Sequence, residues 1–328
     1  MNYKNVISVS GGKDSTAMLI LAKSRGFDFR AVFADTGNEH EITIEYLEYL
    51  ENALDIKIER YKADFSQAIN KRRETLINHL INLDAGSGYG RRLKQWTGTD
   101  LLRVIDNLHA TGNPFLDLCM LKGRFPSSRA QFCTEELKRH VIDFQVMLPL
   151  LNECNDDRTK IISWQGVRKQ ESHRRSSLTH SEIDELCIIY RPILELNHNE
   201  IFALHKKHNI KPNPLYTRGM NRVGCMPCIN AGKAEMKQVS LEAYQHINKI
   251  AEWEQKVALC SKRGKATFFQ VGDVPGWPKE LELIDITKHG IKNYVSDYAV
   301  TSRGGRQQDM ITNMMEPGIC RSNYGLCE

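Results

Sequence analysis

The sequence predicts an α/β fold built on a parallel sheet, and three observations carry that expectation. Over the first sixty residues, apolar runs of strand length alternate with apolar patterns of helix length; the connections between them are short; and glycine-bearing loops fall where the strands end. Residues 5–9 read as a first strand, 16–23 as a buried helix and 29–34 as a second strand. Residues 41–54 then set Ile42, Ile44, Leu47, Leu50 and Leu54 close to helical spacing, and 56–61 alternate as a third strand. Such a βαβαβ unit forms parallel strands with right-handed crossovers, and its ligands bind at the carboxyl ends of the strands. Ser10-Gly11-Gly12 and Asp35-Thr36-Gly37 both stand at such ends and are expected to face one cleft.

Residues from about 64 to 150 read as a mainly helical insertion, interrupted by the glycine-rich stretch 85–90 and by Thr111-Gly112-Asn113-Pro114. Strands at 160–164 and 187–190 bring the expected sheet to five, followed by a short helix at 199–208 that ends before Pro212 and Pro214. The expected division is a first domain over 1–230 that carries the insertion, and a C-terminal extension over 231–328. That extension holds a helix near 241–259 and a loop-rich tail with Ser302-Arg303-Gly304-Gly305-Arg306, a candidate phosphate or nucleic-acid contact or simply a basic loop.

With 328 residues, 41% hydrophobic and 26% charged, the chain is neither disordered nor fibrous. No run approaches the roughly 20 apolar residues of a membrane helix. Met1-Asn2-Tyr3-Lys4 leads into the first strand without a secretory pattern, so a cytoplasmic protein with no membrane partner is expected. Nine cysteines, odd in number and sparse, point away from a disulfide framework and toward metal binding, redox chemistry or packing. The net charge of +5 is mild, but basic residues bunch at Lys71-Arg72-Arg73, Arg91-Arg92, Arg174-Arg175 and Lys262-Arg263. Such bunching favours anionic partners, although a solvated helix face accounts for any one cluster taken singly.

The segment Ser10-Gly11-Gly12-Lys13-Asp14-Ser15 joins a strand to a helix. Its glycines let successive N–H groups point into one concavity while the helix N-terminus adds positive potential, which makes an anion cradle. It lacks the spacing of the Walker loop, so the ordinary kinase or GTPase reading does not fit. The segment resembles the S-G-G-x-D-S signature of the PP-loop pyrophosphatase superfamily, and within it the phosphoadenosine phosphosulfate (PAPS) reductase-like family. Asp35-Thr36-Gly37 resembles that family's second-strand motif, and Gly166-Val167-Arg168 through Glu171-Ser172 to Arg175 resembles its G-x-R-x-x-E-S-x-x-R segment.

The resemblance implies an adenine nucleotide α-hydrolase-like fold over most of the chain, with ATP or PAPS bound across the sheet edge. It places Ser10, Gly11, Gly12, Lys13, Asp14 and Ser15 on phosphates, with Lys13, Asp14 and Ser15 in the chemistry. Asp35, Thr36 and Gly37 would lie near the nucleotide or its Mg²⁺, and Arg168 and Arg174 would hold a sulfate or phosphate, a task suited to the planar guanidinium fork. The complete loop, Lys13 included, resembles relatives that cleave ATP to adenylate a substrate: the sulfate adenylyltransferase small subunit, tRNA-thiolating enzymes and the ATPase of DNA phosphorothioation.

Cys225-Met226-Pro227-Cys228 is a C-x-x-C turn, and Cys133 opens a second segment that resembles cluster-binding positions of the family. Thiolates at this spacing can reach one centre together. The expected set is Cys133, Cys225, Cys228 and Cys320, or Cys327 in place of Cys320, around a [4Fe–4S] cluster, with Zn²⁺ the alternative. Cys327 also stands where PAPS reductases keep a mobile catalytic cysteine. Cys119, Cys154, Cys187 and Cys260 have no partner spacing and are expected to be buried, and His198, His205 and His208 are expected to be structural.

The main expectation is an ATP-cleaving enzyme that adenylates an acceptor in sulfur transfer, with a nucleic-acid acceptor and a cysteine desulfurase as sulfur donor among its partners. The alternatives are a sulfonucleotide reductase that uses Cys327 and a thioredoxin-like reductant, and a nucleotide-sensing or nucleic-acid-binding module without turnover.

Overall fold

The computed structural model describes residues 3–84, 96–269 and 290–295. The Gly-rich stretch 85–90, Arg91-Arg92, the loop 302–306, Cys320 and Cys327 lie outside the described residues, as does the side chain of Arg174.

The described residues fall into two units, one of 3–63 with Gln131–Asn230, the other of Asp64–Ala130 with the residues from Ala231 onward. The first holds a six-stranded sheet of β1 (Lys4–Ser8), β2 (Phe29–Asp35), β3 (Ile58–Lys62), β4 (Ile161–Trp164), β5 (Ser181–Ile183) and β6 (Ile188–Tyr190), in the order β3-β2-β1-β4-β6-β5. All pairs are parallel except β5 with β6. The five expected strands are present, and β5 is an addition. Its three residues are all exposed, so it carries none of the buried apolar residues by which the others announce themselves.

Alternation along the strands divides the core in two. Ile7, Val9, Ala31, Phe33, Ile58 and Trp164 face one side and are covered by α1 (Lys13–Ser24), α2 (Glu41–Leu54) and α7 (His198–Lys207). Val6, Val32, Ala34, Ile161 and Ile189 face the other, packed with Val141, Ile142, Val146, Met147 and Leu150 of the helical run α6 at 132–153. Burying both faces is what a parallel sheet requires. Helix α1 is buried at nine of its twelve positions, so it shows no polar face. Two π-helical turns, Glu135–Arg139 and Asp143–Met147, lie within α6, and the first carries Lys138.

The second unit is helical: α3 (Ser66–Asp84), α4 (Gly98–Asn107), α5 (Pro114–Lys122), α8 (Lys233–Glu242), α9 (Tyr244–Cys260) and the short α10 (Ile291–Asn293). Helix α9 packs on α4 and α5, with the Phe115 and Trp253 rings stacked at 5.7 Å. Buried Glu254 on α9 accepts the backbone N–H groups of Phe268 at 2.7 Å and Ile291 at 2.9 Å.

Candidate functional site

The loop between β1 and α1 lies at the carboxyl end of the central part of the sheet, where β1 is flanked by β2 and β4. Gly11 turns the chain there with φ +79°, and a Cβ at this position would stand 2.6 Å from Thr43 Cγ2, so no other residue fits without a shift. The two serines hold the loop's shape. Ser15 Oγ accepts the Ser10 N–H at 3.2 Å and donates to the Gly12 carbonyl at 3.1 Å, and Ser10 Oγ accepts the Gly12 N–H at 3.4 Å. Ser15 is therefore a fold-closing hydroxyl in this arrangement.

Lys13, Asp14 and Arg168 form a buried charge cluster. Asp14 Oδ2 pairs with Lys13 Nζ at 3.1 Å and Asp14 Oδ1 with Arg168 Nε at 2.7 Å, all three side chains being at most 7% exposed. One carboxylate between two cations leaves a net positive charge out of water, an arrangement favourable to an incoming anion. Gly166 makes the approach of Arg168 feasible, because a Cβ there would lie 3.3 Å from the Asp14 carbonyl carbon and 3.1 Å from Met18 Cε. Glu171 accepts the Arg168 N–H at 2.9 Å and pairs with Arg175.

Three further residues support the same loop, of which Asn213 and Tyr216 were not singled out in the sequence. His205 Nε2 lies 2.8 Å from the Lys13 carbonyl, Asn213 Nδ2 donates to the Gly11 carbonyl at 3.1 Å, and the Lys13 N–H donates to Tyr216 Oη at 3.0 Å. His205 is buried, which holds its protonation below the usual imidazole range, in keeping with a structural histidine. His198, also expected to be structural, is likewise shifted down, by desolvation and by the neighbouring charges of Lys13 and Arg168. No signal of spacing marks Tyr216 or Asn213; only the return of the chain to the loop two hundred residues on reveals them.

At the end of β2, Asp35 Oδ1 accepts the Gly37 N–H at 2.8 Å, and Thr36 Oγ1 donates to Glu39 Oε1 at 2.6 Å. This turn meets the C-x-x-C segment: Glu39 and Cys225 form a β-bridge, the Met226 N–H donates to the Asn38 carbonyl at 2.7 Å, and Cys225 Sγ lies 3.8 Å from Glu39 Oε1. A small cavity at the end of β1 is lined by Val9, Ser10, Glu39, Lys138 and Cys225.

Cys133, Cys225 and Cys228 are electrostatic neighbours of one another and of Lys138. Burial pushes the Cys133 thiol up to about 12 and the Cys225 thiol up to about 11, and it also raises the Glu39 carboxyl. Burial opposes the charge on Lys138, but Cys225, Glu39, Cys228 and Cys133 around it outweigh that and favour the ammonium. Burial keeps the Cys133 and Cys225 thiols protonated, and together with Cys228, whose Sγ accepts the Asn230 N–H at 3.5 Å, they form a donor set chemically suited to a thiophilic metal, which would displace the thiol protons. The remaining cysteines of the described residues, Cys119, Cys154, Cys187 and Cys260, are buried as expected.

A central-strand loop of this form on a parallel sheet, with an arginine returning to it, defines an α/β protein of the PP-loop type. The model of the phosphoadenosine phosphosulfate reductase domain matches residues 4–83 and 135–231, just over half of the chain, and the chain belongs to that family. An uncharacterized 37.8 kDa protein of Escherichia phage 186 is 43% identical over 99% of this chain and 96% of its own length. The nin region protein ORF290 of Escherichia phage lambda is 27% identical over 52% of this chain and 50% of its own. An adenosine 5'-phosphosulfate reductase of Burkholderia cepacia is 34% identical over 68 residues, 20% of this chain and 27% of its own. Among solved structures, the phosphate complex of a PAPS reductase from Candida auris covers 67% of this chain and 80% of its own, at 13% identity and a TM-score of 0.38.

Proposed function

We propose that this chain cleaves ATP to AMP and pyrophosphate and so adenylates an acceptor for sulfur transfer. The observation that carries this reading is the complete loop with Lys13 and Arg168 gathered on Asp14. Phosphate oxygens taking up the loop amides and the Lys13 ammonium would leave the α-phosphorus open to an acceptor nucleophile. The bond from the α-phosphorus to the bridging oxygen then breaks, and pyrophosphate departs into the field of Lys13 and the α1 N-terminus. Asp35, at the end of β2, would hold Mg²⁺, and the ion would supply the charge that neutralises the leaving pyrophosphate.

Cys133, Cys225 and Cys228 would hold the metal centre, with Cys320 or Cys327 as the fourth thiolate of a [4Fe–4S] cluster, or all four around zinc. A cluster held there would supply iron and sulfide beside Cys225, which lines a small cavity together with Ser10. The partners that follow from this reading are a nucleic-acid acceptor and a cysteine desulfurase.

The test is release of AMP and pyrophosphate from ATP and Mg²⁺ by anaerobically purified protein, with and without nucleic acid. We expect release that falls on the order of 10²–10³-fold in Lys13→Ala. Absence of release under every condition overturns the reading.

A second reading rests on the Burkholderia cepacia relative, which is named for adenosine 5'-phosphosulfate reduction. In it Cys327 attacks the sulfur of PAPS or its unphosphorylated counterpart, a thioredoxin-like protein reduces the resulting thiosulfonate, and sulfite is produced without ATP cleavage. Sulfite formation that survives Lys13→Ala but not Cys327→Ser would favour it over the first.

A further inference from the structure

Beyond α7 the chain returns to the loop as a strap whose position is fixed at several points. Tyr46 Oη donates to the Lys211 carbonyl at 2.8 Å, and the Lys211 N–H donates to Tyr49 Oη at 2.9 Å. Asn213, fully buried, donates to the Gly11 carbonyl at 3.1 Å and accepts the Leu215 N–H at 3.0 Å. The Tyr216 N–H closes a turn onto the Asn213 carbonyl at 3.1 Å.

This scaffold delivers the Tyr216 hydroxyl to the Lys13 N–H, at 3.0 Å. The ring is braced edge-on by Phe202 at 5.7 Å, and Lys13 Nζ lies 5.5 Å from its centroid. Lys13 is the first residue of α1, and its N-cap Gly12 provides no side-chain acceptor. An amide at this place in an anion cradle is aimed at a phosphate oxygen, yet here it is held by a neutral phenol.

We propose that Tyr216 is the specificity-setting occupant of the phosphate position. Its hydroxyl satisfies the Lys13 N–H until a phosphate oxygen takes that N–H over, and only a ligand with enough negative charge completes the exchange. The inference rests on the reading that the loop binds phosphate. A hydrogen bond to a charged oxygen is roughly twice as strong as one between neutral groups, so a pyrophosphate or triphosphate displaces the phenol, whereas an uncharged nucleoside does not. Because the strap continues into Cys225, nine residues on, the displaced tyrosine lies on the segment that reaches the thiols.

The experiment is calorimetric titration of the full chain with inorganic pyrophosphate and with ATP, in wild type, Tyr216→Phe and Lys13→Ala. Phenylalanine keeps the ring packing on Phe202 and removes only the hydroxyl, and a matched thermal unfolding curve checks the fold. We expect Tyr216→Phe to bind both ligands roughly two- to tenfold more tightly, the range of one neutral hydrogen bond no longer displaced, with Lys13→Ala binding more weakly. Unchanged or weaker binding by Tyr216→Phe, with wild type binding and Lys13→Ala impaired, overturns the inference and leaves the loop reading standing. Binding by neither wild type nor Tyr216→Phe overturns the loop reading and the inference with it.

Discussion

At the scale of single residues, Asp14 holds two buried cations together, and its charge matters more than its shape. Asp14→Asn removes the carboxylate shared by Lys13 and Arg168 and leaves Arg168 with the more distant Glu171, at 3.9 Å, as its counter-charge, and breaking a buried pair in this way costs about 3–5 kcal/mol. Urea unfolding should show that loss, whereas Lys13→Ala keeps the Asp14–Arg168 pair and should cost clearly less. Gly11→Ala carries two separable penalties, the positive φ and the 2.6 Å approach to Thr43 Cγ2. We expect a loss of about 1–3 kcal/mol from the backbone conformation plus a steric part. Adding Thr43→Ser, which removes the methyl, should restore the steric part alone in the same unfolding assay. The loop was legible in the sequence because its parts are contiguous and its chemistry is written in glycine and charge. Glu39, Lys138 and Tyr216 were not, because each reaches the site by packing of distant segments, and an isolated tyrosine in a loop has no pattern to betray it.

At the scale of elements, α7 supports the loop through His205, and this ties stability to pH. Burial lowers the folded-state pKa of His205, so the native protein resists a proton that the unfolded chain accepts below about pH 6.5. Stability is therefore present above that value and declines as the pH falls below it. The midpoint of thermal unfolding should drop between pH 7.5 and 5.5, and by less in His205→Gln, which retains a donor for the Lys13 carbonyl. A drop of equal size in the variant would remove His205 from the account. Five of the six strands could be read from their apolar residues, because each of them buries side chains in the core. Strand β5 escaped because an exposed edge strand has no buried face to leave a mark. The π-helical turns of α6 escaped too, since an extra residue per turn changes which side chain faces the thiols without altering the local composition.

At the scale of the molecule, the sequence pointed to a helical insertion and a tail as separate additions, and both contribute to the second unit. Their association could not be read, since each supplies half of a core: the apolar stripe of α4, with Leu101, Val104 and Ile105 buried, meets α9 from more than a hundred residues away. Glu254 gives this unit a test of its own. Burial raises its carboxyl to about 7, so its contribution is full below about pH 4.5 and is lost as the pH rises through 7. Glu254→Ala orphans the Phe268 and Ile291 N–H groups, and at about 1–3 kcal/mol for each buried donor it should lower the unfolding free energy measured at pH 5. The turn after β2 has a different reach. Asn38 accepts from Met226 at 2.7 Å and donates to the Pro227 carbonyl at 3.1 Å, so the turn at the end of β2 is tied to the peptide between Cys225 and Cys228. Any coupling carried through that tie is reciprocal. If a metal binds the thiols and pyrophosphate binds the loop, the factor by which a chelator weakens pyrophosphate binding is the factor by which saturating pyrophosphate must tighten metal binding.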